Sequence, residues 1–252
     1  MRDISLAVVI LAAGKGTRLK SPLAKVLQPL GGRPLLHFIL ETLRGVAHDR
    51  LIVVIGHQAG EVRAVCEGWY PDIEFVEQRE QLGTGHAARQ AEPLLSDFAG
   101  DVLVLCGDMP FLTAETLNRL VRLRRATGAA CGLLTLKCPD PKDFGRIIRD
   151  AGGKVKGIVE DRDATAEEKK VDEFNAGVYC FDNALFYKAL SSIDNNNAQK
   201  EFYLTDTISY LVDHHFRVEA LQISDADEIF GINSLDDLHR AETILGRKGP
   251  VL

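Results

Sequence analysis

"VVILAAGKGTRLKSPLAK", residues 8–25, sets an apolar run directly against a glycine-broken segment rich in cations. The stretch admits three readings: a secretion signal, a phosphate-binding loop, or a strand entering an ordinary turn. Arg2 followed by Leu6 to Ala13 imitates the charged and apolar regions of a signal, with small residues where cleavage would fall. Asp3 interrupts the charged region, however, and the apolar core is short. It is far below the roughly 18 to 20 apolar residues that cross a bilayer, and no other stretch comes closer. The expectation is a soluble, cytoplasmic protein without membrane association.

Working outward from this run, strands and helices alternate, as they do where helices cover both faces of a mostly parallel sheet. Ile4–Leu11, Leu51–Gly56, Ile73–Glu77 and Val102–Cys106 are rich in Val, Ile and Leu and read as buried strands. Helical spacing covers Pro34–Leu43, Glu61–Tyr70 and His86–Leu95 between them, with Pro34 suited to a first turn. In the second half, strands are expected over Ala129–Leu136, Arg146–Arg149, Val155–Val159 and Phe174–Phe181, with "RDAGGKVKG" (Arg149–Gly157) as a hairpin. Helices are expected over Ala184–Leu190, Leu204–His214 and Leu235–Leu245.

Composition fits a globular chain of 252 residues, 46% hydrophobic and 26% charged, with no repeat or low-complexity segment. The five cysteines (Cys66, Cys106, Cys131, Cys138 and Cys180) form no C-x-x-C pair, which argues against a disulfide framework or a zinc site. A formal charge of −6 argues against a nucleic-acid coat, so any anionic ligand depends on a local cluster of cations. "DHH" at Asp213–His215 ends a helical stretch and lacks the companion aspartates of a metal motif.

The glycines of "AAGKGTR" follow a strand, where nucleotide phosphates sit in such folds. Leu19 stands where the dinucleotide fingerprint needs its third glycine, and Gly14 and Gly16 are too close together for a P-loop. Two readings stay open on these residues: an anion-binding nest flanked by Lys15, Arg18 and Lys25, or a plain turn with solvated charges. Asp108 is likewise either a turn aspartate before Pro110 or a metal ligand at a strand's carboxyl end.

The stretch resembles the signature of the sugar-phosphate nucleotidyltransferases, L-x-[AG]-G-x-G-[ST]-R-[LM] followed by a lysine. Further segments appear in order: "EQLGTGHAA" (Glu80–Ala88), "LCGDMP" (Leu105–Pro110), "FGRIIRD" (Phe144–Asp150), "GIVEDRDAT" (Gly157–Thr165), "EFNAGVY" (Glu173–Tyr179) and "NNNAQKEFYLTD" (Asn195–Asp206). Together they resemble the uridylyltransferase domain of the bacterial bifunctional N-acetylglucosamine-1-phosphate uridylyltransferase/glucosamine-1-phosphate acetyltransferases, from Ala7 to about Glu242. The resemblance implies an α/β, Rossmann-like nucleotidyltransferase fold with a mixed, mostly parallel sheet. It also implies one domain over residues 1–252, with a nucleotide-binding half to about residue 110 and a sugar-binding half beyond.

The same resemblance implies transfer of UMP from UTP to N-acetylglucosamine 1-phosphate with Mg²⁺. Leu11, Ala12, Ala13, Gly14, Lys15 and Gly16 would cradle the nucleotide, Arg18, Lys25 and Asp108 would carry the reaction, and Gln78, Gly83 and Thr84 would select the base. Gly145, Glu160 and Asn175 would hold the sugar, and Asp108 with Asn233 the metal. Ser234 is the better cap for the helix that follows. A carboxylate kept for a ligand adds little to an empty fold, so Asp108→Asn is expected to leave stability nearly unchanged.

Three departures stand out. The hexapeptide repeats of the family's acetyltransferase half are missing from these residues, so that activity is expected to be absent from this chain, which leaves open whether a separate acetyltransferase is its partner. Cys106 stands where relatives often carry a tyrosine, and Ala24 replaces the proline that usually precedes the lysine matching Lys25.

Overall fold

A computed structural model describes residues 5–70, 72–139 and 143–248. The opening run forms strand β1 (Ser5–Leu11), its five central residues buried on both faces. A two-residue hairpin, β2 (Pro29–Leu30) and β3 (Arg33–Pro34), leads into helix α1 (Leu35–Leu43). Strand β4 (Arg50–Ile55), helix α2 (Ala59–Glu67) and strand β5 (Ile73–Glu77) follow. Short helices α3 (Thr84–Arg89) and α4 (Glu92–Leu95) precede strand β6 (Gly100–Cys106). Helix α5 (Ala114–Thr127) and strand β7 (Cys131–Lys137) begin the second half. It continues through β8 (Arg146–Arg149), β9 (Val155–Val159), β10 (Glu173–Asp182), α6 (Asn183–Leu190), α7 (Asp206–Asp213), β11 (Val218–Ile223) and α8 (Leu235–Lys248).

One sheet runs through both halves in the order β11-β7-β10-β6-β1-β4-β5, with β8 and β9 attached beside β10. Strands β6, β1, β4 and β5 are mutually parallel, and β10 is antiparallel to β6 and β7. The expected mixed, mostly parallel sheet is therefore present. Alternation along β1 divides the core: Val8 and Ile10 join the cluster under α1, α2 and α5, while Ala7 and Val9 join the cluster on the other face. Each Val, Ile or Leu so buried contributes roughly 1.5–3 kcal/mol relative to exposure. A third cluster packs Ile244 and Ala241 of α8 against Leu30, Leu35 and Phe38, which anchors the C-terminal helix to the β2–β3 hairpin.

All the expected strands are found, although Ile4 lies outside the described residues. The "RDAGGKVKG" hairpin is present, with Gly153 at φ +79°. Four differences matter. The single helix expected over His86–Leu95 is two, broken at Gln90–Ala91 ahead of Pro93, whose missing N–H cannot continue a helix. The helix expected over Glu61–Tyr70 runs instead over Ala59–Glu67. Helix α5 was not expected, yet it carries ordinary signals: Thr113 Oγ1 accepts from Thr116 N–H at 3.2 Å, and Gly128 closes it at φ +62°. Strand β11 was also missed, because "VEALQI" alternates weakly and its partner β7 is remote in sequence.

Candidate active site

Parallel strands place their carboxyl ends along one edge, and three of them, β1, β5 and β6, deliver loops that resemble the family signature. Leu11 and Cys106 are direct partners in the β1–β6 register, and Gly107 N–H donates to the Leu11 carbonyl at 3.0 Å. The glycine loop after β1 therefore lies beside Asp108 after β6. Gln78, one residue beyond β5, is held by its N–H to the Ile55 carbonyl of β4 at 2.7 Å. Because β10 is antiparallel, its N-terminal end, carrying Asn175, reaches the same edge.

A cavity of about 260 Å³ opens there, lined by Leu11–Gly14, Lys25, Gln78, Gly83, Thr84 and Asp108, with Val26, Gln81, Ala87, Cys106 and Glu201 completing the wall. A larger hollow of about 740 Å³ lies beside the β8–β9 hairpin, but none of the expected site residues lines it. Its Arg149 and Arg217 already pair with Glu173 and Glu219.

In the glycine loop, Gly16 adopts φ +63° and starts a short 3-10 turn over Thr17–Leu19. A Cβ there would stand 2.8 Å from Lys25 Cβ, so glycine lets the loop close on the lysine stem. The three expected cations do not converge. Lys15 is exposed, and the Arg18 side chain is 65% exposed, with a guanidinium nitrogen 4.0 Å from Asp143. Lys25 alone reaches into the cavity. Its ammonium pairs with the Asp108 carboxylate and donates to Asn233 Oδ1 at 2.6 Å.

Asn233 is placed by two contacts: its N–H donates to Asp237 Oδ2 at 3.1 Å, and its Nδ2 donates to the Gly231 carbonyl at 3.4 Å. Its Oδ1 is thereby left to face Lys25. Ser234 Oγ caps α8 by accepting from Asp237 N–H, as the sequence suggests. Ile232 N–H donates to the Asp108 carbonyl at 3.0 Å, which ties the two oxygen-bearing loops together. Among the described residues no three His, Cys, Asp or Glu side chains converge as a metal group.

The segment expected to select the base is braced from the second half. Gln78 is 3% exposed, and its Nε2 donates to the Gly83 carbonyl at 3.1 Å and lies 3.0 Å from His86 Nδ1. The amide nitrogen therefore shapes the loop as well as facing the cavity. Gly83 has φ +110°, and a Cβ on it would stand 2.5 Å from the Phe202 carbonyl oxygen. Phe202 N–H donates to the Leu82 carbonyl, Gly85 N–H to the Phe202 carbonyl, and Leu204 N–H to Thr84 Oγ1 at 3.0 Å. Thr84 is thus a fastener for the "EFYL" segment.

The three expected sugar residues also meet. Asn175 N–H donates to the Gly145 carbonyl at 2.8 Å, and a Cβ on Gly145 would come within 3.5 Å of Glu160 Oε2. Asn175 Nδ2 donates to Tyr179 OH at 2.6 Å, and its Oδ1 accepts from Gly177 N–H across a bulge in β10. Thr205 OH donates to Glu160 Oε1 at 2.9 Å. Cys106 Sγ lies 3.8 Å from the Gly177 carbonyl oxygen, which links this cluster to the cavity.

The cluster expected to hold the sugar is acidic. Burial, with Asp163, Asp161 and Glu201 nearby, pushes Glu160 above the ordinary carboxylate value, opposed by the Thr205 hydrogen bond. Burial, with Glu160, Asp194 and Asp163, raises Asp206 to about 6. Burial also pushes the Cys106 thiol up to about 12, so it is a neutral wall residue and not a nucleophile at neutral pH. Sequence reasoning missed Gln81, Glu201, Thr205 and Tyr179. Glu201 lay within a segment already singled out, but its role depends on the strand-like contact between residues 82–85 and 202–204.

Residues 8–139 match the family described as MobA-like NTP transferase domain. The chain is 44% identical over 244 residues to the bifunctional protein GlmU of Pelobacter propionicus, covering 97% of this chain and 53% of that protein. It is 42% identical to the bifunctional protein GlmU of Desulfotalea psychrophila, covering 96% of this chain and 70% of that protein. The chain thus spans about half the length of most of the curated relatives it matches. A crystal structure of UDP-glucose pyrophosphorylase complexed with UDP-glucose superposes with a TM-score of 0.77 at 16% identity, over 98% of this chain and 100% of that one, a likeness of fold. No helix among the described residues is long and apolar enough to cross a membrane.

Proposed function

The chain belongs to the MobA-like NTP transferase family, and from that premise we propose that it is a nucleotidyltransferase that moves UMP from UTP to N-acetylglucosamine 1-phosphate, releasing pyrophosphate. The observation that carries this reading is the single cavity joining the glycine loop, Lys25, Gln78, Gly83, Thr84 and Asp108. The 41–46% identity to GlmU proteins supports the choice of nucleotide and sugar. In chemical terms, a sugar-phosphate oxygen attacks the α-phosphorus of UTP. A phosphate monoester has a second pKa near 6, so at neutral pH the nucleophile is mostly dianionic and needs no general base.

The protein's work is to bring two polyanions together and align them. The amides around Gly14 and Gly16 bind phosphate oxygens, and Lys15 and Arg18 swing in from their exposed positions to meet the triphosphate. The buried Gln78 carboxamide, through its Oε1, and the Gly83 backbone meet the uracil edge. Gly145, Glu160 and Asn175 orient the sugar hydroxyls and acetamido group.

The donor set suits Mg²⁺, which favours hard oxygens and needs only one or two from protein when phosphates supply the rest. Asp108 and Asn233 would hold it, and the Lys25 ammonium already marks a position where a cation is stable between them. Bound there, the metal would screen the phosphates and orient the α-phosphorus.

Pyrophosphate release from UTP with a panel of sugar 1-phosphates tests the assignment. N-acetylglucosamine 1-phosphate should give the highest kcat/KM, and no turnover with any member of the panel would overturn the proposal.

A further inference from the structure

We propose that Lys25 is the built-in occupant of the divalent-cation position, so that metal enters only by exchange with its ammonium and in company with the triphosphate. This rests on the nucleotidyltransferase reading above and adds an order of events to it.

Three separate segments build the arrangement. Lys25 starts the short turn Lys25–Leu27, Asp108 follows β6, and Asn233 precedes α8. The lysine and aspartate side chains are only 17% and 14% exposed, so little water screens the pair. The stem of Lys25 is confined by Gly16, and Asn233 Oδ1 is aimed at the ammonium by the partners of its own nitrogens. The backbone bond from Ile232 to Asp108 fixes the spacing of the two oxygens.

Two cations cannot share this position. At about 4 Å, charges of +1 and +2 repel by roughly twice the unit-charge interaction, which is already large where water is scarce. A divalent ion that takes Asp108 and Asn233 must displace the ammonium. In the substrate-free protein that would leave Lys25 half-buried without an anionic partner. The triphosphate removes that penalty, since its oxygens accept the released ammonium. Metal and nucleotide binding are therefore coupled, and by linkage each strengthens the other. Lys25 is in this respect a switch between two anionic partners.

The test is Mn²⁺ binding to substrate-free protein, followed by the electron paramagnetic resonance signal of free Mn²⁺. Wild type should bind weakly. Lys25→Met, which vacates the position, should bind one Mn²⁺ at least tenfold more tightly, and Lys25→Met with Asp108→Asn should lose that gain. Lys25→Gln serves the same purpose if the methionine variant does not fold. Equal Mn²⁺ affinity in wild type and the folded Lys25 variant would overturn the exchange, whatever the enzyme's turnover. Absence of turnover in wild type would instead overturn the parent reading, and the Mn²⁺ titration would still decide whether Lys25 guards the position.

Discussion

Asp108 pairs with Lys25 and is proposed to hold the metal as well, and its substitution separates the two roles. If the carboxylate anchors the metal as proposed, Asp108→Asn should lower Mg²⁺-dependent pyrophosphate release by at least about a hundredfold, ~2.7 kcal/mol in the barrier. The same change strands a mostly buried ammonium, which retains only neutral oxygens. Stability should then fall by roughly 1–3 kcal/mol, read as a lower melting temperature. This corrects the expectation of unchanged stability, which counted the carboxylate as idle without substrate. Gln78 gives a second residue-level case. With both amide hydrogens committed to Gly83 and His86, its Oε1 is left to accept from uracil's N3–H, where cytosine presents an unprotonated ring nitrogen, so UTP should beat CTP by at least about tenfold. In Gln78→Ala that ratio should shrink to within about threefold, at roughly 1–3 kcal/mol per unsatisfied group. A variant with undiminished selectivity would remove Gln78 from base recognition.

Among the elements, the decisive contact is between the loop at residues 82–85 and the segment at 202–204, which closes the cavity from the second half. Gly83→Ala places a Cβ against the Phe202 backbone at a φ that alanine rarely adopts. The segment must shift, so the KM for UTP should rise at least about tenfold with a smaller loss in kcat, as expected when binding geometry is disturbed. Circular dichroism should show the remaining fold intact. Helix α5 offers the contrasting case of an element remote from substrate. Thr113→Ala removes its N-cap and the hydroxyl that donates to Glu228, which should cost about 0.5–2 kcal/mol in thermal or urea unfolding and leave kcat unchanged. A large loss of activity there would mean that α5 does more than support the sheet.

For the whole molecule, the acidic cluster around Glu160 and Asp206 makes stability depend on pH. Asp206 has a native pKa of about 6, above the value of about 3.9 for an unfolded aspartate. Between those values the folded state binds more protons, so stability falls as pH rises through the window and the penalty is fully present above it. Asp206→Asn should therefore melt higher than wild type at pH 7–8, with the advantage shrinking as pH drops from about 6 toward 4. An advantage that persists undiminished at pH 4 would show that Glu160, Asp163 and Asp194 do not crowd this carboxyl in solution.

Much of this protein was legible in its sequence because the signals were local. Val, Ile and Leu runs marked the buried strands, glycines and turn residues marked their ends, and the loops after β1, β5 and β6 were singled out, of which Leu11–Gly14, Lys25, Gln78, Gly83, Thr84 and Asp108 line the cavity. The chain order of these segments could not reveal their register. Only the parallel pairing of β1 with β6 sets Leu11 opposite Cys106, and only the antiparallel entry of β10 carries Asn175 to the same edge. Packing of α8 on the β2–β3 hairpin brings Asn233 to Lys25 across 208 positions of sequence. A sequence states which groups are charged and which are apolar. Which charge neutralises which is set by distance and by exclusion of water, and these exist only once the sheet has closed.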